Sequence, residues 1–270
     1  MLGGGILLLG LIAGGLMVAL RGGGKAGGES PPASQITQSP VAALDAVAEP
    51  DMKTLLTRSV PSILAEAEPL ARKFLEATTV EELLPLLRNP DRVKPRLMRA
   101  YPQGRLEAPG LAQFNVGGDL AVSESIAVVK LLTNNFASRQ LTFVQTPEGL
   151  KIDWECWAGW SDMTWPEFLA ALPVAATTFR VIVRRVDYYN FGFSDDKKWQ
   201  SYRLESPDGE HLIFGYVQRD SIVERQIRLG PDVDHAPMIL KISFPAGVAA
   251  SNNQVVVNDV IANGWIEPDE

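Results

Sequence analysis

The sequence predicts an α+β protein carried on an N-terminal membrane helix. Three observations carry that expectation. Residues 1–20, MLGGGILLLGLIAGGLMVAL, hold no charged side chain, and Arg21 ends the run. From Ser59 to about Tyr101, apolar residues recur at helical spacing. From Ala112 onward the period falls to two, broken by glycine- and proline-rich turns. A helical opening followed by antiparallel hairpins reads as α+β, not as a doubly wound parallel sheet.

The first element is the anchor. Twenty helical residues span about 30 Å, the thickness of a bilayer's hydrocarbon core. A helix also satisfies its own backbone groups, which lipid cannot do. The rival, a cleaved signal peptide, lacks a basic n-region and a small-x-small cleavage site. A lipoprotein signal would need a cysteine near residue 20, and the sole cysteine is Cys156. Gly10 and Gly14 form a small-xxx-small pair that lets two such helices approach as a homodimer. Arg21 and Lys25 favour a cytoplasmic domain, whereas the base rate for single N-terminal anchors favours an extracytoplasmic one. The expectation is a single-pass membrane protein with its domain outside the cytoplasm.

Residues 22–58 are rich in glycine, serine, proline and alanine and read as a flexible tether. Order is expected from Ser59. Ile63, Leu64, Ala67, Leu70, Ala71, Phe74 and Leu75 then form one helical stripe interrupted by Pro69. Thr79 and Glu82 spell a capping box that opens a short helix to Arg88. Asn89 and Pro90 open a third helix by the cap-then-proline rule, ending near Tyr101. Strands follow at 111–117, 122–133, 139–146 and 149–156, with hairpin turns at Gly117-Gly118-Asp119 and Pro147-Glu148-Gly149. Thr164 caps a helix over 164–171. A second β-rich stretch has strands at 178–188, 199–206, 211–218, 237–244 and 254–262, with a turn at Pro207–Glu210 and a helix over 219–228. The organisation is therefore anchor 1–21, tether 22–58, α+β domain 59–172 and β-rich region 173–270.

Three short helices containing LARKFLEATTVEELLPLLRNP (70–90), then a meander closing on KIDWE (151–155), resemble the NTF2-like family over about residues 60–172. The resemblance implies a curved antiparallel sheet wrapped on a long helix around a pocket. That family includes enzymes, small-molecule binders and interaction domains, so no single activity is implied. The chain also resembles uncharacterised bacterial single-pass membrane-anchored proteins, which bring no function with them.

Composition excludes some partners. With 25 basic and 32 acidic residues the net charge is −7, so nucleic acid is not expected. The basic run Arg88–Arg105 reads as a solvated helix face, and Arg180, Arg184 and Arg185 form a second cluster on a strand. His211 and His235 have no ligand at metal spacing, and neither a Walker loop nor GxGxxG occurs, so no metal or cofactor is expected. Gly159–Met163 starts like a nucleophile elbow, but Met163 replaces the second glycine.

The densest candidate is KIDWECWAGWSDMTW (151–165). As a strand it places Asp153 and Glu155 on one face with Lys151, and Trp154 and Cys156 on the other. Paired carboxylates on a pocket wall can do acid–base work. The plainer reading, which is preferred, is a solvated face paired with Lys151. Trp157 and Trp160, with Trp154 and Trp165, read either as a ligand or partner surface or as a core hinge between the β regions. Cys156 reads as an inert core thiol. Tyr188 and Tyr189, with Phe191 and Phe193, are a second candidate surface. The expected function is a membrane-anchored, non-catalytic module binding a protein or small ligand. The alternatives are an NTF2-like pocket enzyme with Asp153 or Glu155 as base, or a structural envelope protein.

Overall fold

The computed structural model describes residues 54–269 apart from 119, 228, 231, 232 and 247–251. The anchor, most of the tether, and the Gly10 and Gly14 pair lie outside the described residues. No helix among the described residues is long and apolar enough to cross a membrane.

The fold is α+β, with a curved antiparallel sheet followed by a β-barrel. Helix α1 (Val60–Glu76) is capped by Ser59, whose hydroxyl accepts from the Ser62 amide. Its stripe of Ile63, Ala67, Ala71, Phe74 and Leu75 is buried. The helix runs through Pro69, whose ring faces solvent. The Thr79–Glu82 capping box opens α2 (Val80–Leu83), as its sequence predicts. Helix α3 (Pro90–Ala100) starts where Asn89 and Pro90 place it. The Asn89 side chain does not cap it, however; its backbone is left-handed and its amide is spent on Asp269 at 2.7 Å.

Order begins before Ser59. Leu55 is fully buried, and its amide donates to the Glu124 carbonyl at 2.8 Å. A fragment starting at Ser59 is therefore expected to be about 2–3 kcal/mol less stable than one starting at Thr54, because it leaves a leucine-sized hole. Chemical denaturation of the two fragments tests this. Equal midpoints would show that Leu55 contributes nothing.

The first sheet has β3 (Ile126–Thr133) pairing β4 (Ser138–Thr146), which pairs β5 (Gly149–Ile152). Strands β1 (Leu111–Gln113) and β2 (Leu120–Val122) both pair with β3 and not with each other. The expected Gly117–Asp119 hairpin is thus replaced: Val116–Gly118 forms a 3₁₀ turn, and the real hairpin turn follows Val122, where the Ser123 amide donates to Ile126. Alternation on β3 buries Ala127, Val129, Leu131 and Thr133 beneath the helices.

The expected strand 149–156 is the larger correction. It stops at Ile152, and Trp154–Ala158 is helix α4. Asp153 caps that helix by accepting from the Cys156 amide at 2.9 Å. Gly159 ends it at φ +58°, where an added Cβ would lie 2.8 Å from Pro207. A cap and a left-handed glycine six residues apart override the alternation of KIDWEC.

Helix α5 (Trp165–Ala171) has the Thr164–Glu167 capping box, and Trp165 and Phe168 pack with the barrel that follows. Five strands, β6 (Thr177–Arg185), β7 (Trp199–Glu205), β8 (Leu212–Gln218), β9 (His235–Ser243) and β10 (Gln254–Asn263), close in the order β10-β8-β7-β6-β9. Helix α6 (Ile222–Gln226) lies between β8 and β9, and β10 runs parallel to β8. The return of β10 beside β8 makes this a five-stranded Greek-key barrel. The barrel core includes Phe179, Val181, Tyr202, Leu204, Ile213, Leu240 and Val255. Gly215 is needed there, since a Cβ would sit 2.7 Å from the Leu204 side chain. Two register shifts bend β10 as closure requires.

Candidate functional site

Strand β6 is buried on both faces. Phe179, Val181 and Val183 point into the barrel, while Arg180 and Ile182 on the other face are only 2% and 1% exposed. What covers Arg180 is a junction between the first sheet and the barrel, and it holds the densest charge in the described molecule.

The junction is assembled by short-range devices. Leu87 bridges Ile152 in parallel, and the Arg88 amide donates to the Ile152 carbonyl at 3.0 Å. That places Arg88 beside Asp153, the next residue after Ile152. Arg92 and Arg96, one turn apart on α3, face the same way. Helix α4 then sets Glu155 two residues past Asp153, turned toward α3 by the helical pitch.

Neither carboxylate lies on a solvated face. Asp153 is 2% and Glu155 1% exposed. Lys151, their expected partner, donates instead to the Pro85 carbonyl at 2.8 Å. Asp153 Oδ2 accepts from Arg88 at 3.2 Å while Oδ1 caps α4. Glu155 accepts from Arg92 at 3.0 Å and from Arg96, with Arg180 Nη2 at 3.7 Å. Both carboxylates are saturated by guanidinium groups and line no open wall. The run Arg88–Arg105 is accordingly split: Lys94, Arg99 and Arg105 are exposed as a solvated face would be, but Arg88 is buried and Arg92 and Arg96 are half-buried.

The segment after β10, residues 264–269, completes the junction. Trp265 Nε1 donates to the Val181 carbonyl at 3.0 Å, and the Trp265 carbonyl accepts from Arg180 Nε at 2.9 Å. Glu267 lies 2.7 Å from Arg96, and its carbonyl accepts from Arg88 at 2.9 Å. Asp269 accepts from Arg88 and Asn89. Burial pushes the Glu267 carboxyl up, but the Arg96 hydrogen bond and the charges of Arg96, Arg92 and Arg180 outweigh it, leaving it below its ordinary 4.5. Asp269 likewise sits below 3.8: burial raises it, while Asn89 and Arg88 lower it by more.

A carboxyl depressed on folding contributes stability above its unfolded value, and that contribution is lost as pH falls through the depressed folded value. Residues 264–269 are therefore expected to detach on acidification between roughly pH 5 and pH 2. Each carboxylate contributes only about 0–1 kcal/mol, being partly exposed. Trp265 fluorescence and amide exchange over the segment check this; exchange unaltered across that range would contradict it.

Cys156 donates its thiol to the Trp265 carbonyl at 3.1 Å, and burial, followed by the nearby Asp153 charge, holds its pKa well above the ordinary value. The thiolate, the nucleophilic form, is thereby disfavoured. Trp157 and Trp160 are half-buried against the first core. Trp157 meets Phe74 edge-on at 5.6 Å, with Arg139 3.7 Å above its ring. Trp160 tilts against Trp154 at 5.5 Å, and its buried indole N–H has no partner. Both rings thus pack on the first core, and the hydrogen bond expected at the Trp160 edge is missing among the described residues.

Tyr188 and Tyr189 fall beyond β6, in the loop to β7. Tyr188 stacks on Phe214 at 3.9 Å, and Phe193 on Tyr216 at 4.0 Å. Tyr216 donates to the Tyr188 carbonyl at 2.9 Å, and burial pushes its pKa up to about 12, so it stays a neutral donor. Phe191 is 62% exposed at φ +49°.

The fold and site define a two-core α+β protein with a charged junction and an aromatic barrel rim. No protein-family model matches the chain, and comparison with curated proteins and with solved structures gives no significant match.

The sequence points to Asp153 and Glu155 but not to their counter-charges. One signal was available: Arg88, Arg92 and Arg96 are spaced by four, a single stripe without an acid four residues away. Glu267 and Asp269 carry no local signal at all.

Proposed function

We propose that the chain is a membrane-anchored, non-catalytic binding module, with residues 1–20 as the anchor and the barrel's aromatic rim as the binding surface. The observation that carries this is Phe191, which is exposed in the left-handed region as Phe136 is in the β3–β4 turn, but which alone of the two stands beside stacked rings, those of Tyr188 and Phe193. A bulky apolar side chain held exposed in the left-handed region is costly twice over, in strain and in hydration, and such positions cluster at binding sites. Around it, Tyr188 and Phe193 are fixed by stacking, so the rim is rigid before a ligand arrives. In OB-type barrels the second and third strands and the loop joining the first two form the ligand face. Here these are β7, β8 and residues 186–198. That support is analogy of fold. The partner is a protein or small ligand offering an apolar or planar group.

The pocket-enzyme alternative has less behind it. The order of three helices and a meander suits an NTF2-like cone, yet the space between α1 and the sheet is filled by Phe74, Leu131, Phe143 and Trp154 among others. Asp153 and Glu155 are held by arginines outside it.

Capture from native membranes by full-length chain tests the reading. The wild type is expected to stay in the carbonate-washed pellet and to retain a partner that Tyr189→Ala with Phe191→Ala loses. Recovery in the soluble fraction would remove the anchor. Undiminished capture by the double variant would remove the rim.

A further inference from the structure

The arginine junction has a charge balance that points to a ligand. Arg88, Arg92, Arg96 and Arg180 face one another across it, against two fixed carboxylates, Asp153 and Glu155. Two positive charges are left over. Glu267 and Asp269, on a segment that belongs to neither core, neutralise them.

That segment is held as a bound peptide is held. Its backbone is read at alternate carbonyls: Trp265 by Arg180 and Glu267 by Arg88. Its carboxylates, two residues apart, are read by Arg96 at one end and by Arg88 with Asn89 at the other. Both acids, two residues apart, turn toward the same arginine row. Half-buried Trp265 and Ile266 tie down its start, while its acidic end is the more open part. Asp269 is 68% exposed, and Glu267, Arg92 and Arg96 are 22–25% exposed, so solvent reaches the groove.

A second observation is independent of this pairing. The Arg180 side chain is 2% exposed, and its Nη2 is buried without a hydrogen-bond partner. It points between Glu155 at 3.7 Å and Glu267 at 3.8 Å, too far to donate well to either. A charged donor left short at the buried end of the groove favours a carboxylate that sits deeper than Glu267 does.

We propose that the groove between α3, α4 and β6 is a binding site for acidic peptides of the form carboxylate–x–carboxylate, and that residues 265–269 are its internal occupant, exchangeable for a partner's segment. The intramolecular occupant competes at an effective concentration on the order of millimolar, so a partner must bind better or act when the segment is released. The site is separate from the aromatic rim, and each stands if the other fails.

The test starts from folded full-length protein. A protease site is inserted after Gly264, where an added Cβ would meet no neighbour. The protein is cleaved after folding, and exchange of a labelled Trp-Ile-Glu-Pro-Asp-Glu peptide is followed by anisotropy. Nicked protein should bind the peptide saturably, and more weakly as salt rises. The Gln/Asn version of the peptide should bind on the order of tenfold worse or more. Arg96→Gln in the nicked protein should produce a comparable loss. Binding indifferent to the carboxylates, or no binding once the native segment has left, would overturn the proposal. Should nicking unfold the protein, uncut Glu267→Gln/Asp269→Asn chain is titrated with the same peptide. Binding there that is absent from wild type supports the proposal, and its absence overturns it. Concentration-dependent dimers of intact chain that exchange the segment would overturn the partner's role in favour of a second copy.

Discussion

Glu155→Gln is expected to destabilise the fold by about 3–5 kcal/mol, among the largest effects of any single polar substitution here. The carboxylate is 1% exposed and sits among Arg92, Arg96 and Arg180. Glutamine is nearly isosteric, so packing survives while the counter-charge does not. Guanidinium groups are then left facing one another around buried Arg180, where water screens them only in part. For a chain of this size the thermal midpoint should fall on the order of 10 °C. Adding Arg92→Gln should recover part of the loss, since it removes an uncompensated charge, and the double-mutant cycle measures the coupling. Asp153→Asn should cost less, because asparagine can still cap α4. An unmoved midpoint for Glu155→Gln would put that side chain on the solvated face its sequence context suggests.

Phe168→Ala is expected to cost about 3–5 kcal/mol as well, by a different route. Phe168 is fully buried, and its ring lies 4.7 Å from Phe179 and 5.0 Å from Phe244. Helix α5 thus plugs the barrel with Phe168 beside Trp165, and alanine at 168 leaves a cavity that strands fixed by closure cannot collapse into. Calorimetry should show a single transition at lower temperature. Unfolding the barrel withdraws Arg180 from the junction and exposes the charges it compensates, so the two cores fall together. A loss below about 1 kcal/mol would mean that Phe168 does not plug the barrel. A separate early transition would mean that the junction does not couple the two cores.

Much of the architecture was legible in advance. The capping boxes at Thr79 and Thr164, the strands of the barrel and the turns at Pro147–Gly149 and Pro207–Glu210 appear where their local chemistry places them. These features rest on contacts between neighbours in the chain, and the sequence displays such contacts directly. The misreading at 149–156 has the same root: alternation is a local signal, but so are the Asp153 cap and Gly159, and two end-stops outweighed four alternating residues. Binding candidates were harder. The aromatic segment 188–193 stood out by composition alone, whereas the arginine junction was split into a solvated helix face and an unexplained strand cluster.

By itself, then, the sequence determined the α+β class, most element positions and the apolar stripe of α1, because periodicity and caps act within a few residues. Closure of the second β region into a barrel with its own core was decided by tertiary pairing. Only the tertiary structure decided what Asp153 and Glu155 are for. Their partners are Arg88, just before α3, Arg92 and Arg96 on α3, and Arg180 on β6, all far away in the sequence, and a charge reads as solvated until the groups that bury it are in place. Burial is a property of the assembled chain, and it turned two apparent surface acids into the counter-ions of a closed arginine cluster.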